Sequence, residues 1–307
     1  MARYIIKRLL YMIPMLFCVI LMVFLIMSFT PGDPASNTLP LTTPQNVKDA
    51  FNESVGFTGS LAARFWTYLK GLFTGNVISY TTRENIFTEL GIRFPLTLRL
   101  GTIAFCISAL AGVALGILGA VKQYSFVDTV VTTFAVLFAS VPSFFVAVCL
   151  VLYFSVYKGW FPTFGIEGVR SYVLPVATLV LSSIPILSRM TRSAMLDAMN
   201  QDYIRTARAK GCSERRVIWK HALKNASLPI ITLLLTGFAG ILGGSVIVES
   251  IFTIPGIGTY MLSAINAKNV PVVMTCALLL AFIFMVAMVL MDIFFALIDP
   301  KLRTRYQ

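Results

Sequence analysis

The chain has 307 residues, 57% of them apolar and only 12% charged, with 25 lysines and arginines against 13 acids and a formal charge of +12. That charged share is about half what a soluble globular domain carries, which excludes a wholly water-solvated fold and makes lipid the solvent for much of the surface. Cys18, Cys106, Cys149, Cys212 and Cys276 are odd in number and form no CxxC pair, so they read as free, mostly apolar thiols rather than a disulfide framework.

A helix needs about 20 apolar residues to cross a bilayer core, and six stretches approach that length. Residues 9–29 are the first, almost free of polar groups; 100–121 are the second, starting just after Arg99; 130–154 are the third, with Pro142 inside. Residues 172–187 are short and carry Pro175 and Pro185, which makes this fourth span the weakest; 228–248 and 270–298 are the fifth and sixth. Backbone groups in lipid must be satisfied within the segment, so the expectation is an all-α integral membrane protein of six transmembrane helices, with the prolines of spans three and four kinking helices that pack on neighbours.

Sixteen of the 25 basic residues fall on the side that holds both termini, and nine of them lie between Arg189 and Lys224. The positive-inside rule places that side in the cytoplasm. The basic start (Arg3, Lys7, Arg8) also suits a signal peptide, but the apolar run is too long for one. It ends in Thr30-Pro31-Gly32-Asp33-Pro34 without a small-residue cleavage pattern, so an uncleaved anchor is expected. The organisation is then an N-terminal helix over 1–30, an outward-facing region over 31–98, and a five-helix core over 99–307 that contains a cytoplasmic loop, 189–228.

Within 31–98, Phe65, Trp66, Leu69, Leu72 and Phe73 recur at helical spacing. They suggest an amphipathic helix either lying at the interface, with Trp66 and Tyr68 at headgroup depth, or packed as a lid on the bundle. A short helix over 84–90 leads through Phe94-Pro95 into span two. There is no internal repeat, which argues modestly against an inverted-repeat carrier.

Catalytic chemistry finds little purchase. His221 is the single histidine, without a second ligand at metal spacing, and no GxxxxGK[ST] loop is present. The chain reads as neither an enzyme nor a metal protein, and any ATP-driven work falls to other subunits. Acids near the spans are candidates by default because burying a charge in lipid costs about 2.5–3.5 kcal/mol. Glu249 lies at the outer end of span five, and Asp292 lies within two turns of the cytoplasmic end of span six, within reach of a basic partner.

The most informative segment is QDYIRTARAKGCSERRVIWKHALK, residues 201–224. Before Gly211, Tyr203, Ile204 and Ala207 form one stripe with Arg205, Arg208 and Lys210 around it. After it, Ser213 can cap a second helix, Glu214 suits that helix's positive end, and Val217, Ile218 and Ala222 give it an apolar side. A helix, a glycine corner and a helix entering the membrane result. Solvation, anionic lipid or DNA could account for the basic face; the apolar Ile204, Val217 and Trp219, exposed on an isolated loop, favour a docked protein.

The segment YIRTARAKG followed by SERRVIWKHALKNASLP is similar to the cytoplasmic coupling loop (the EAA loop) of inner-membrane permease subunits of ATP-binding cassette importers, in the peptide and nickel branch. Arg205-Thr206-Ala207 stands where the wider family has Glu-Ala-Ala, Gly211 matches the family glycine, and His221-Ala222-Leu223-Lys224 replaces Ile-x-Leu-Pro with only the leucine kept. Pro31-Gly32-Asp33-Pro34, Gly71-Leu72-Phe73-Thr74-Gly75-Asn76, Phe94-Pro95-Leu96-Thr97-Leu98, Val141-Pro142-Ser143-Phe144, Glu249-Ser250-Ile251-Phe252, Pro255-Gly256-Ile257-Gly258 and Asp299-Pro300-Lys301-Leu302-Arg303 resemble that branch along most of the chain.

The resemblance implies a B-type permease with the type I importer fold in a prokaryotic inner membrane. Its partners would be a homologous second permease, two ATPase subunits that bind ATP and Mg, and an extracellular or periplasmic substrate-binding protein. The ATPase-coupling residues would be Tyr203, Ile204, Arg205, Thr206, Ala207, Arg208, Ala209, Lys210, Gly211, Arg215 and Arg216. Ser140, Ser143, Ser245, Glu249, Pro255, Gly256 and Gly258 are candidates for the translocation path or its gate, with packing or turn roles as the alternative. Peptide is the expected solute, with nickel, glutathione or oligosaccharide as alternatives; a self-contained carrier or channel is the reading outside this family.

Overall fold

The computed structural model describes residues 2–166 and 168–298, of which Ala2–Ile5 and Phe294–Ile298 are described in backbone only. The closing motif from Asp299 to Arg303 and the basic residues Lys301, Arg303 and Arg305 lie outside the described residues. Every element is helical: α1 (Ala2–Phe29), three short helices, α2 (Pro34–Thr38), α3 (Gln45–Ser54) and α4 (Leu61–Thr74), then α5 (Ile86–Val121), α6 (Phe126–Ser140) and α7 (Ser143–Leu150). α7 runs on as a π-helix over Val151–Tyr157, followed by α8 (Arg170–Met199), α9 (Asp202–Ala209), α10 (Glu214–Ile251), α11 (Ile257–Asn266) and α12 (Val270–Ile298). Among the described residues the only β pairing is an isolated bridge between Ile78 and Asn85.

α1, α5, α8, α10 and α12 are each long and apolar enough to span a membrane, and α6 with α7 supplies the sixth crossing if the pair counts as one span. The third span is not a kinked helix as expected. α6 and α7 meet at 98°, because Val141, pushed out of helical space by the proline ring that follows, is extended (φ −96, ψ 124) and Pro142 starts a new helix rather than bending the old one.

The fourth span is longer than the sequence suggests. α8 runs 30 residues with Pro175 and Pro185 both inside it and both buried. Its low apolarity has a packing cause: 61% of its most apolar window is buried in protein, against 17% for α1, so α8 answers to neighbouring side chains more than to lipid. The neighbour that comes nearest is α5. Its buried face is a run of small residues that includes Gly101, Ala104, Ser108, Gly112 and Gly116, spaced so that backbones can approach. A Cβ on Gly112 would stand 2.6 Å from Leu187 Cβ, and one on Gly116 would stand 2.5 Å from Thr191 Cβ and 2.6 Å from Ser188 O.

α5 also absorbs the short helix expected over 84–90: it starts at Ile86, is capped by the Asn85 side chain, and passes through Pro95 without a break, so position 98 lies inside it. α4 lies on the bundle. Phe65, Leu69 and Leu72 pack against a core that includes Ile20, Phe24, Leu90, Tyr260 and Met274, and Tyr68, only 6% exposed, shares a 3.2 Å hydrogen bond with Thr275 Oγ1 of α12. Tyr68 therefore faces the protein interior, as the lid alternative expects, whereas Trp66 is exposed. Two further cores follow, one around Leu100, Leu174, Leu179 and Val248 between α5, α8 and α10, and one at the far end of α8 that carries the 201–224 corner.

Candidate functional site

The corner forms because its termini are satisfied internally. After α9 the chain turns at Gly211 with φ +76, a left-handed conformation that a side chain disfavours. Cys212 N donates to Ala207 O at 3.2 Å and Gly211 N donates to Arg208 O at 2.9 Å. This is the paired bonding of a Schellman C-terminus. Ser213 precedes the next helix with extended backbone, but its side chain makes no capping bond. Glu214 instead reaches back: Arg208 Nε and Nη2 donate to its two carboxylate oxygens at 2.7 and 3.2 Å, bracing the corner from outside. The carboxylate lifts the Arg208 guanidinium above its ordinary pKa, mainly through that hydrogen bond. With side chains 44% and 61% exposed, the pair adds at most about 1 kcal/mol.

Inside the corner the apolar stripe faces its own chain. Ile204, Val217 and Ala222 are fully buried and Ala207 nearly so, packed with Met195 and Ala198 of α8, Ala120 of α5, and Ala226 and Ile230 of α10. This overturns the expectation that Ile204 and Val217 are apolar area awaiting a partner: the stripe fastens α9 to three spans. Full burial of each such side chain contributes about 1.5–3 kcal/mol. What faces outward is basic and aromatic: Tyr203, Arg205, Lys210, Arg215, Arg216 and Trp219 are exposed, as are Thr206, Arg208, Ala209 and Gly211. Over Val217–Ala222 the helix is π-wound, and it continues to Ile251 with Pro229 inside.

Beside the corner stands an ion pair that sequence reasoning missed. Arg192 of α8 donates through Nε and Nη2 to the carboxylate of Asp128 at 2.6 and 2.8 Å, and Tyr124 N adds a third bond at 2.9 Å. The Asp128 side chain is 7% exposed. A signal was available: Ser125-x-x-Asp128 ahead of an apolar run is the pattern of a capping box, and Ser125 Oγ does accept from Asp128 N.

The other candidates fall into two places. Ser245 and Glu249 of α10 are fully buried. Glu249 takes bonds from Ser245 Oγ at 3.1 Å and from Gly258 N at 2.7 Å, while Ile257 N donates to Thr97 Oγ1 at 2.9 Å. Glu249 thus caps the first turn of α11 from a distance, a favourable place for a carboxylate. Pro255 belongs to the turn this clamp holds. Gly256 and Gly258 permit the approach: a Cβ on Gly256 would stand 2.6 Å from Thr97 Oγ1, and one on Gly258 would stand 2.4 Å from Val246 Cα. Ser140 and Ser143 flank the 98° bend; Ser140 is exposed, with its hydroxyl on Val136 O at 2.9 Å, and Ser143 is half-buried. Asp292 takes a hydrogen bond from Arg8 at 3.0 Å, tying α12 to α1.

Two family models match the chain. One, described as the binding-protein-dependent transport system inner membrane component, covers residues 112–304; the other, the N-terminal membrane component of such systems, covers residues 1–101. The glutathione transport system permease protein GsiC of Escherichia coli K12 is 35% identical over 304 residues, 99% of each chain. A protein of Brucella abortus provisionally named as a peptide transport system permease is 36% identical over 312 residues, again 99% of each. Among solved structures, the inward-facing MetNI methionine ABC transporter superposes with a TM-score of 0.61 at 17% identity, covering 70% of this chain and 99% of that one. An amino acid ABC transporter does so at 0.56 and 16%, covering 68% and 93%. Both are likenesses of fold, and the fold is that of an importer permease.

Proposed function

The chain belongs to the inner membrane components of binding-protein-dependent transport systems, the permease subunits of ATP-binding cassette importers, and from that premise we propose that it forms half of a translocation path for short peptides, with residues 201–224 as the handle by which a partner ATPase moves it. The observation that carries this reading is the two-sidedness of the corner. Its inner face is bolted to α5, α8 and α10 by fully buried Ile204 and Val217, and its outer face offers Tyr203, Arg205, Lys210, Arg215 and Arg216 to a partner. A nucleotide can shift inward and outward states only through differential affinity for them. A handle must therefore stay attached to the spans in both states, which the buried face provides. ATP and Mg belong to the ATPase subunits, and the second half of the path to a homologous permease.

Peptide is favoured as solute because the relatives that align over 99% of the chain are named for glutathione and for peptides, and glutathione is itself a tripeptide with one unusual linkage. The basic corner faces the cytoplasm on this reading, with both termini on the same side. Ser140, Ser143, Ser245 and the turn from Pro255 to Gly258 remain our candidates for lining or gating the path, with Glu249 holding that turn in shape.

Purification of the tagged chain from its native membrane tests the assembly: a second permease and two ATPases should accompany it. In liposomes, the complex should hydrolyse ATP faster when its binding protein is loaded with a short peptide. A chain that purifies alone and moves solute unaided would overturn the importer reading; stimulation by a nickel-loaded receptor and not by a peptide-loaded one would overturn the solute.

A further inference from the structure

Buried charges in proteins are ordinarily paired, since an isolated ion away from water is costly. The half-buried Arg93 and Arg192 follow the rule, bonded to Glu89 and Asp128. Arg64 of α4 does not. Its Nε and Nη2 are shut off from solvent and have no hydrogen-bond partner among the described residues, while its guanidinium lies over the Phe57 ring at 4.1 Å and 5.8 Å from the Phe24 ring. The Tyr80 hydroxyl accepts a hydrogen bond from the guanidinium and so works to keep Arg64 charged against burial, but a phenol pushed up by its own burial is neutral at pH 7 and cannot balance a cation.

Arg64 lines a cavity of about 400 Å³ enclosed by α4, the α3–α4 loop, the turn before α5 and Pro271 at the start of α12. A second arginine, Arg83, lines it too, steadied by Nη2 donating to Ser54 Oγ at 2.8 Å and by the Phe51 ring at 5.2 Å. No aspartate or glutamate is among the lining residues. A third cation stands close by: Lys268 is 2% exposed, and its ammonium donates to Thr30 O and Pro31 O at the end of α1. Burial first, and then the field of Arg64, pull that ammonium below its ordinary pKa. The outer region thus gathers positive charge around a small-molecule-sized space whose lining residues include no acid to answer it.

We propose that this cavity binds an oxyanion, a carboxylate or a phosphate, held between the two arginines that line it, Arg64 and Arg83. The lipid form of this site is independent of which solute the importer carries, and its peptide form rests on the solute proposed above. Two sources share the chemistry. One is the terminal carboxylate of a short peptide. The other is the phosphodiester of a lipid headgroup, for which α4 is placed by its exposed Trp66, Lys70 and Phe73 at i, i+4 and i+7.

The test uses the complete complex in phosphatidylcholine nanodiscs, titrated calorimetrically with inorganic phosphate, with dialanine and with dialanine amide. Retention of phosphatidylglycerol is read in parallel by native mass spectrometry. At least one anionic probe should bind the wild type saturably and about tenfold or more weakly to Arg64→Gln, the scale of one charge-assisted partner, with Lys122→Gln, at the exposed end of α5, unchanged. Dialanine binding that the amide fails to reproduce identifies a peptide carboxylate, and selective retention of phosphatidylglycerol identifies a headgroup; both support the site. If Arg64→Gln does not assemble, Arg83→Gln should show the same direction of loss. No saturable binding of any anionic probe to the wild type, or binding indifferent to both arginines, overturns the proposal.

Discussion

Gly211 is the position where the coupling reading can be tested with least confusion from sterics. Its φ of +76 lies in the left-handed region, and a Cβ built on it meets nothing within 4 Å. A side chain there therefore costs backbone energy alone, about 1–2 kcal/mol for an ordinary L-residue and less for Asn, whose short polar group tolerates this region. At 25 °C that range corresponds to a shift of about 5–30-fold in the population of the correct corner. Proline is a different perturbation: its φ near −65° is incompatible with the turn, and it removes the N–H that donates to Arg208 O. In the reconstituted complex, receptor-stimulated ATP hydrolysis should fall in the order Gly, Asn, Ala, Pro. Proline should abolish stimulation while the chain still inserts and the basal ATPase rate persists. Equal stimulation across the series, or a loss in alanine as deep as in proline, would refute a mechanism that depends on the corner's backbone geometry.

Asp128→Asn should lower the stability of the solubilised protein by about 1–3 kcal/mol, below the usual cost of breaking a fully buried pair because the Arg192 side chain is 25% exposed. Thermal unfolding reads this, and exchanging the pair as Asp128→Arg with Arg192→Asp should recover part of the loss. Asp33 yields a pH dependence outside the bilayer. Burial acts to raise its pKa, but bonds from Asn52, from Ser36 and from the Ala35 backbone outweigh it and leave the carboxyl below the ordinary carboxylate value. A group depressed in the folded state stabilises it above the unfolded pKa, about 3.9, and loses that contribution as pH falls through the folded value. Hydrogen exchange in residues 34–54 should therefore stay protected from neutral pH down to about 5 and open progressively below about 4. In Asp33→Asn this pH step should vanish.

Four of the spans were legible because they are written in apolar length, which lipid enforces. The two that misled did so for opposite reasons. α8 looked weak because protein surrounds it, so its sequence can carry Ser182 and Ser183 among its apolar residues; hydropathy measures distance from water, not from other helices. The α6–α7 break looked like a kink because Pro142 states only that the preceding residue leaves helical space; whether the next helix resumes its direction is decided by packing. The corner's helix–glycine–helix form was legible in Gly211 and the stripe, yet the direction of the stripe was not. Ile204 and Val217 look like exposed apolar area on an isolated loop, and only the position of Met195 and Ala198 shows that they are covered by the chain itself. Arg192 finds Asp128 across 64 residues of sequence, a pairing no local pattern encodes.

α10 joins the two places where the candidate residues gather. It begins at Glu214, braced to Arg208, and ends at Ile251, two residues past the Glu249 clamp on α11. Its 38 residues measure about 57 Å along the axis at the usual helical rise, well beyond the roughly 30 Å hydrocarbon core. One element therefore carries the corner clear of lipid at one end and the buried turn at the other. Pull on a loosely tethered loop would be absorbed by the loop. Here Ile204 and Val217 lock α9 against the first turns of α10, so displacement of the corner must move α10 itself or break a fully buried contact. At the far end, Gly258 N on Glu249 and Ile254 N on Glu249 O, at 2.7 and 2.8 Å, leave the turn over 252–258 little freedom to stay behind. On the proposed reading, inward and outward states differ in where that turn is carried, and the glycines at 256 and 258 are required because any larger residue would hold it away from its clamp.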